Sequence, residues 1–247
     1  MNLICSCAIV TPASSLFAQN SGPGSPVTPP AALAPFGVIG HTALNPAWRL
    51  SGLPGQQAAP VTRFEFNNTA GEPALQLTTG KSYGVLAHDW SGPAPAELSW
   101  RWRVDQPLEQ ADLATKKGDD AAVKVCVMFD QPLADIPLLQ RATLALARTA
   151  TGQALPHASV CYVWDKRYPA GTSGANPYSA RVRYIVLDGS PLGQWTAQRR
   201  RVNDDFQSLF GKESPTTPPV TTVAVGADSD NTGGRSVAYL SQLRWLP

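Results

Sequence analysis

The 247-residue chain is short of charge: Asp, Glu, Lys and Arg make up 15% of it, and the net charge is +2. No polybasic run marks a nucleic-acid or membrane-surface partner. Cysteine is scarce too, with four residues and neither a Cys-x-x-Cys pair nor a Cys/His cluster, which excludes a structural zinc site. The three histidines, His41, His88 and His157, are scattered without metal-site spacing. No apolar run reaches the length that spans a bilayer, so no membrane span is expected. A Gly-x-Ser-x-Gly elbow, a phosphate loop and a dinucleotide fingerprint are all missing, which removes the commonest serine-hydrolase and nucleotide chemistries. His88-Asp89 alone does not make a catalytic dyad.

What is present points to a β protein. Twenty Gly and 23 Pro are spread through the chain and favour short strands and turns over long helices. A hydrophobic fraction of 43% with seven Trp supplies a core. The first 18 residues resemble a signal peptide, with an apolar segment Leu3 to Val10 and Leu16-Phe17-Ala18 before a cleavage site. Residues 19–35, rich in Pro, Gly and Ser, read as a disordered linker. A single domain is expected over 36–247, in the periplasm or secreted.

Alternation defines the strands. Leu98, Trp100, Trp102 and Val104 point one way, and Ser99, Arg101 and Arg103 the other. Val123, Val125, Val127 and Phe129 repeat the pattern against Lys124, Cys126 and Met128. Val160, Tyr162 and Trp164 form a third such face, and Val182, Tyr184 and Val186 alternate with Arg181, Arg183 and Ile185. Further strands are read at 61–66, 74–79, 82–88, 220–226 and 236–245. Two segments read as helices: 138–148, with Gly152 beyond, and 203–210, with Asn203 as N-cap and Gly211 as terminator. The fold class is therefore all-β, a two-sheet β-sandwich of jelly-roll type (galactose-binding or lectin-like) with one or two short helices.

Several stretches occur together in one order: LSWRWRVD from Leu98, KKGDDAAVKVCVMFD from Lys116, VCYVW from Val160, RRRVNDDFQSLFG from Arg199 and ADSDNT from Ala227. With these the chain resembles a bacterial family known as domain of unknown function 3047, from about Trp48 to the C-terminus. Cys126 and Cys161 depart from the aromatic or aliphatic residue expected at their positions. The resemblance implies one exported bacterial domain and carries no activity or catalytic residue.

The candidate chemistry lies in two acidic turns. Asp228, Asp230 and Asn231 place oxygen ligands close together in a Gly-rich turn, as a hard cation such as calcium requires. The bland reading is an Asx-rich turn capping backbone amides. Asp119 and Asp120 precede a strand, and if that strand neighbours the chain's last one, both turns meet at one sheet end. Asp119, Asp120 and Asp230 are also the candidates for acid–base work on a glycan, as a hydrolase; Arg and Tyr would serve a lyase.

Arg101, Arg103, Lys124, Arg181 and Arg183 fall opposite the apolar faces and would form a basic stripe for an acidic glycan if their strands share a sheet. An ordinary charged outer face is the alternative. Arg199, Arg200 and Arg201 are expected to pair with Asp204 and Asp205. Cys126 and Cys161 lie centrally in two strands and either form a disulfide or stay as buried thiols. Trp48, Trp90 and Trp195 lie in less regular segments and either pack or offer a face to a sugar ring. The expected function is a non-catalytic exported protein binding a carbohydrate or other cell-envelope polymer. A polysaccharide-active enzyme and an envelope assembly partner are the alternatives.

Overall fold

The Leu98–Val104 alternation is realised as a strand in which Leu98, Trp100, Trp102 and Val104 are all at most 2% exposed. A computed structural model describes residues 32–51, 59–151, 155–189 and 191–247. Its strands are β1 (Trp48–Ser51), β2 (Arg63–Asn67), β3 (Ala74–Thr78), β4 (Tyr83–Gly92), β5 (Glu97–Gln106) and β6 (Ala121–Phe129). They continue with β7 (Ala158–Trp164), β8 (Ser173–Ala175), β9 (Val182–Asp188), β10 (Thr196–Arg200), β11 (Val220–Asp228) and β12 (Val237–Leu246). Helix α1 (Leu138–Thr151) lies between β6 and β7, after a 3₁₀ turn at Leu133–Asp135, and α2 (Val202–Phe210) lies between β10 and β11.

The strands form two sheets, a seven-stranded one in the order β1-β4-β11-β6-β7-β9-β8 and a five-stranded one in the order β10-β5-β12-β3-β2. The expected β-sandwich is thus present. Neighbours are antiparallel throughout, except that β7 and β9 run parallel. The large sheet contributes Val123, Val125, Val127 and Val225 to the shared core, and the small sheet contributes Trp100, Trp102 and Leu240. Trp100 meets Trp102 edge-on with ring centroids 5.6 Å apart, and Tyr162 reaches across from β7 to within 5.3 Å of Trp100. Phe206 and Phe210 from α2 plug one end of this core against Phe129.

Four expectations need correction. Disorder through Pro35 does not hold: Leu33 is 8% exposed in the core, and the Ala34 N–H donates to His88 Nε2 (3.1 Å). Residues 1–31, where the leader and most of the linker are expected, lie outside the described residues. Helix α2 starts one residue before Asn203, with Arg201 at the N-cap position. Within α2, Asp205 turns inward to accept from Tyr162 (2.8 Å) and Arg200.

The core-facing side of β9 is also the reverse of the expected one. Ile185 packs into the shared core, while Tyr184 and Val186 join a second cluster with Cys126, Cys161 and Ala224 on the outer side of the large sheet. A strand with apolar clusters on both sides gives no alternation, and every residue of β7 is accordingly buried. Three short strands, β1, β8 and β10, lie outside the strands expected from the sequence. They carry little alternation of their own and are held by their register with β4, β9 and β5.

Cys126 and Cys161 stand directly opposite each other in β6 and β7, with Cα atoms 4.0 Å apart, and are joined as a disulfide. The bond closes a 35-residue separation. In the chain-entropy picture such a loop adds about 3–4 kcal/mol of stability. Cys126→Ala/Cys161→Ala is expected to lower the urea midpoint correspondingly. An unchanged midpoint would show that the pair contributes nothing to the folded state.

Candidate functional site

The site grows out of one register. On the outer side of the large sheet, Asp228 at the end of β11 stands opposite Tyr83 of β4 and Ala121 of β6. Asp228 Oδ1 accepts the Ala121 N–H (2.8 Å), and Oδ2 pairs with Lys124 Nζ (2.5 Å). The Lys124 ammonium also lies 5.5 Å from the Tyr83 ring. Burial works against that ammonium, but Asp228 and Tyr83 more than reverse it, so the lysine holds its proton above its ordinary range.

After Asp228 the chain crosses from the large sheet to the small one through residues 229–236, and this crossover meets the turn before β6. Asp120, 1% exposed, accepts the Asn231 N–H and amide on Oδ1 (3.2 Å each) and the Thr232 N–H on Oδ2 (2.7 Å). The Asn231 amide also reaches the Asp119 carbonyl (3.1 Å). The turn is closed by the Asp112 N–H donating to Gly118 O (2.7 Å). A Cβ at Gly118 would stand 2.8 Å from the Asp112 backbone nitrogen, which only glycine avoids.

A third loop, between β8 and β9, completes the site. Asn176 donates to Asp119 Oδ2 (2.5 Å), and the Tyr178 hydroxyl lies 2.7 Å from Asn231 Oδ1 and 3.0 Å from the Lys116 carbonyl. Burial pushes the Asp119 carboxyl up to about 6; Lys124 and Asn176 oppose the shift, while Asp228 and Asp120 add to it. Asp230 is raised as well, by burial first and by Asp228 second, and its Oδ1 has no hydrogen-bond partner within the protein.

Beneath these groups is a cavity of about 50 Å³ lined by Leu113, Asp119, Lys124, Asn176, Tyr184 and Asp228, among others. At about 10–15 Å³ per water that is room for a few waters, and it is well below the roughly 150 Å³ that admits a six-membered ring.

The two acidic turns do meet, because β6 lies beside β11 and not beside the chain's last strand. Asp120, Asp228 and Asp230 each bring one oxygen to within 4.8 Å of the others. Asp119 and Asn231 border the same cluster through the bonds above. The oxygens of Asp120 already face N–H donors, however, and those of Asp228 face Ala121 and Lys124. A calcium ion, needing six to eight oxygens, would have to displace that ammonium.

The five basic residues do not form one stripe. Arg101 and Arg103 lie in the small sheet, where they pair with Glu72 and Asp105 and stack near Trp195 (5.4 Å) and Tyr239 (5.9 Å). Lys124 lies in the large sheet with Asp228. Arg181 and Arg183 both hold Glu213, and their guanidinium groups sit 5.0 Å and 4.1 Å from the Phe210 ring. Alternation placed each arginine opposite an apolar face but could not say which of two sheets that face belonged to. Arg200 and Arg201 pair with Asp205 and Asp204 as expected, whereas Arg199 takes Glu97.

Trp48 and Trp90 are buried and Trp195 is half-buried, with its indole N–H donating to Ala70 O (3.0 Å). Residue type and spacing did not single out Tyr178, although Asn176-Pro177 just before it marks a turn. His88 gives no dyad: Asp89 pairs with Arg49, and His88 Nδ1 faces the Asp89 backbone carbonyl (2.7 Å).

Residues 46–244 match the family model described as a protein of unknown function, DUF3047. The chain belongs to this family. The resemblance seen in its ordered stretches is thereby confirmed, and the DUF3047 region includes both acidic turns, the Tyr178 loop and all twelve strands except the end of β12. No curated protein matches the chain.

Among the solved structures similar to it are two carbohydrate-related ones. One is the xyloglucanase domain of NopAA, a type three effector from Sinorhizobium fredii, in complex with cellobiose. It has a TM-score of 0.44 and 10% identity, covering 79% of this chain and 91% of that one. The other comes from work on the promiscuous specificity of carbohydrate-binding modules of the β-sandwich superfamily. Its TM-score is 0.34 at 14% identity, covering 81% of this chain and 57% of that one. Both are distant likenesses.

Proposed function

We propose that this DUF3047 protein is an exported glycan-binding protein whose site is the surface around Tyr178, above the Asp119–Lys124–Asp228 cluster. One observation carries the reading. Tyr178 is 57% exposed, the only exposed Phe, Tyr or Trp ring among the described residues, yet its hydroxyl is held by Asn231 Oδ1 (2.7 Å), with the Lys116 carbonyl 3.0 Å away. A ring held still and open to solvent offers a stacking face at little cost in conformational freedom. Lys116 Nζ lies over this ring at 5.3 Å, and a sugar would take the other face. Asp119, Asn176 and Asn231 stand beside it as donors and acceptors for hydroxyl groups. The cavity is too small for a ring, so the polymer lies across the surface. In this reading Lys124, not calcium, balances the buried carboxylates, and the disulfide fits an oxidising compartment outside the cytoplasm.

The test is affinity electrophoresis of the wild type and Tyr178→Ala through gels carrying neutral and acidic soluble polysaccharides. At least one glycan should retard the wild type, and the substitution should weaken binding about tenfold or more. Its unfolding free energy should fall by no more than about 1 kcal/mol, the loss of the hydroxyl's bond, because the ring itself is open to solvent. Equal mobility in every gel would sink the proposal.

A hydrolase reading has one observation in its favour, the Asp119 carboxyl poised at about 6, where it could donate a proton. Release of reducing ends by the wild type, and none by Asp119→Asn, would establish it in place of simple binding.

A further inference from the structure

Helix α1 is the element the sandwich covers least. Leu138, Leu139 and Leu146 are 78%, 81% and 72% exposed, and Leu133 in the preceding 3₁₀ turn is 48% exposed. These are four of the ten exposed large apolar side chains among the described residues, so the exposure is concentrated on one segment. At 100° per residue, Leu138, Leu139, Ala142, Ala145 and Leu146 share an arc of about 120°, in which Thr149 is the one polar residue. Leu144, on the far side, is the described α1 side chain that packs inward, at 6% exposure.

The polar side chains near this face make few demands on water. The Thr143 and Thr149 hydroxyls donate to the carbonyls of Leu139 and Ala145 (3.0 Å each), and the Arg141 guanidinium donates to the carbonyls of Ile136 and Ala134 (2.6 and 2.9 Å). Hydroxyls bonded back to the previous turn leave the helix surface less polar than its composition implies.

We propose that α1 docks this protein on an anionic lipid surface, lying along it with Leu138, Leu139 and Leu146 inserted among the acyl chains. Two arguments select lipid. The first is area. A 14-residue helix is about 21 Å long and about 10 Å wide, a footprint far below the roughly 800 Å² per partner of a stable protein interface, so a second copy held by this face alone would not stay bound. A lipid surface asks for no shape complementarity and accepts a short amphipathic helix lying in its plane.

The second is charge. The helix sequence contains Arg141 and Arg148 and no Asp or Glu, the pattern that suits anionic headgroups. Asp135, just before it, is half-buried and accepts from the Ser214 hydroxyl (3.2 Å), which leaves two basic residues against one acidic one over 133–151. The docking does not depend on the Tyr178 surface, which is built from different loops.

The test is co-sedimentation of the full chain with extruded vesicles of phosphatidylcholine alone and of phosphatidylcholine with phosphatidylglycerol, using the wild type and L139E/L146E. The wild type should pellet with the anionic vesicles, and the double variant should bind at least tenfold less with its urea midpoint unchanged. No pelleting of the wild type would overturn the proposal, as would equal pelleting of both proteins. Equal pelleting of the wild type with both vesicles would overturn the choice of an anionic surface. A dimer of the wild type that L139E/L146E makes monomeric, with no vesicle binding by either, would assign the face to a second copy instead.

Discussion

Glu213→Ala is expected to cost about 3–5 kcal/mol of unfolding free energy, because it strands two arginines. Arg181, with a side chain 4% exposed, gives one guanidinium nitrogen to Glu213 Oε2, and Arg183, 18% exposed, gives one to Oε1. Arg181 keeps Gln131, Gln140 and the His157 carbonyl as hydrogen-bond partners, but none of them is an anion. Both guanidinium groups lie against the Phe210 ring, where water cannot replace the lost carboxylate.

Acid should produce the same loss in the wild type. Burial pushes the Glu213 carboxyl up, and donation from Arg181 and Arg183 more than reverses this, leaving its folded pKa below the ordinary value of 4.5. A carboxyl depressed on folding stabilises fully above its unfolded pKa, and the stabilisation is lost as pH falls through the folded one. Urea unfolding of the wild type and Glu213→Gln should therefore show a gap that is constant near pH 7 and closes below about pH 4. A gap independent of pH would mean that the pair is not holding the fold.

Asp120→Ala should cost about 3–5 kcal/mol, for a different reason. Among the described residues Asp120 makes no ion pair of its own; it accepts two backbone N–H groups and the Asn231 amide. Removing it leaves these donors unpaired, at about 1–3 kcal/mol each. The relief of repulsion with Asp228 offsets part of that loss. Equilibrium urea unfolding checks the magnitude, and the same titrations in millimolar calcium and in a chelator check the charge assignment. With Lys124 supplying the positive charge, neither addition should shift the wild-type midpoint. A rise in the urea midpoint with calcium would show that the cation displaces the lysine.

Much of this molecule was legible before any fold was known, and particular residues show how far. The alternation of β5 and β6 predicted which side chains fill the core, since a period of two leaves one reading once a face is apolar. It failed at β9, where Tyr184 and Val186 are apolar on the outer side and Ile185 on the inner, and at the short edge strands, which are held by their neighbours. The acidic turns were visible as clusters of Asp and Asn, but their meeting depended on β6 lying beside β11, a pairing of residues about a hundred positions apart. Tyr178 gave no signal because exposure is not a property of a residue type.

The sequence by itself determined the strand-rich class, the apolar faces of the central strands, the family and the residues of both acidic turns, because these follow from local period and composition. Only the tertiary structure decided that the basic residues divide between two sheets, that Lys124 enters the acidic cluster, and that Cys126 faces Cys161. It alone also left the leucines of α1 uncovered. Each of these depends on which strands are neighbours, and neighbours in a sandwich are set by packing the two apolar faces together over long sequence distances.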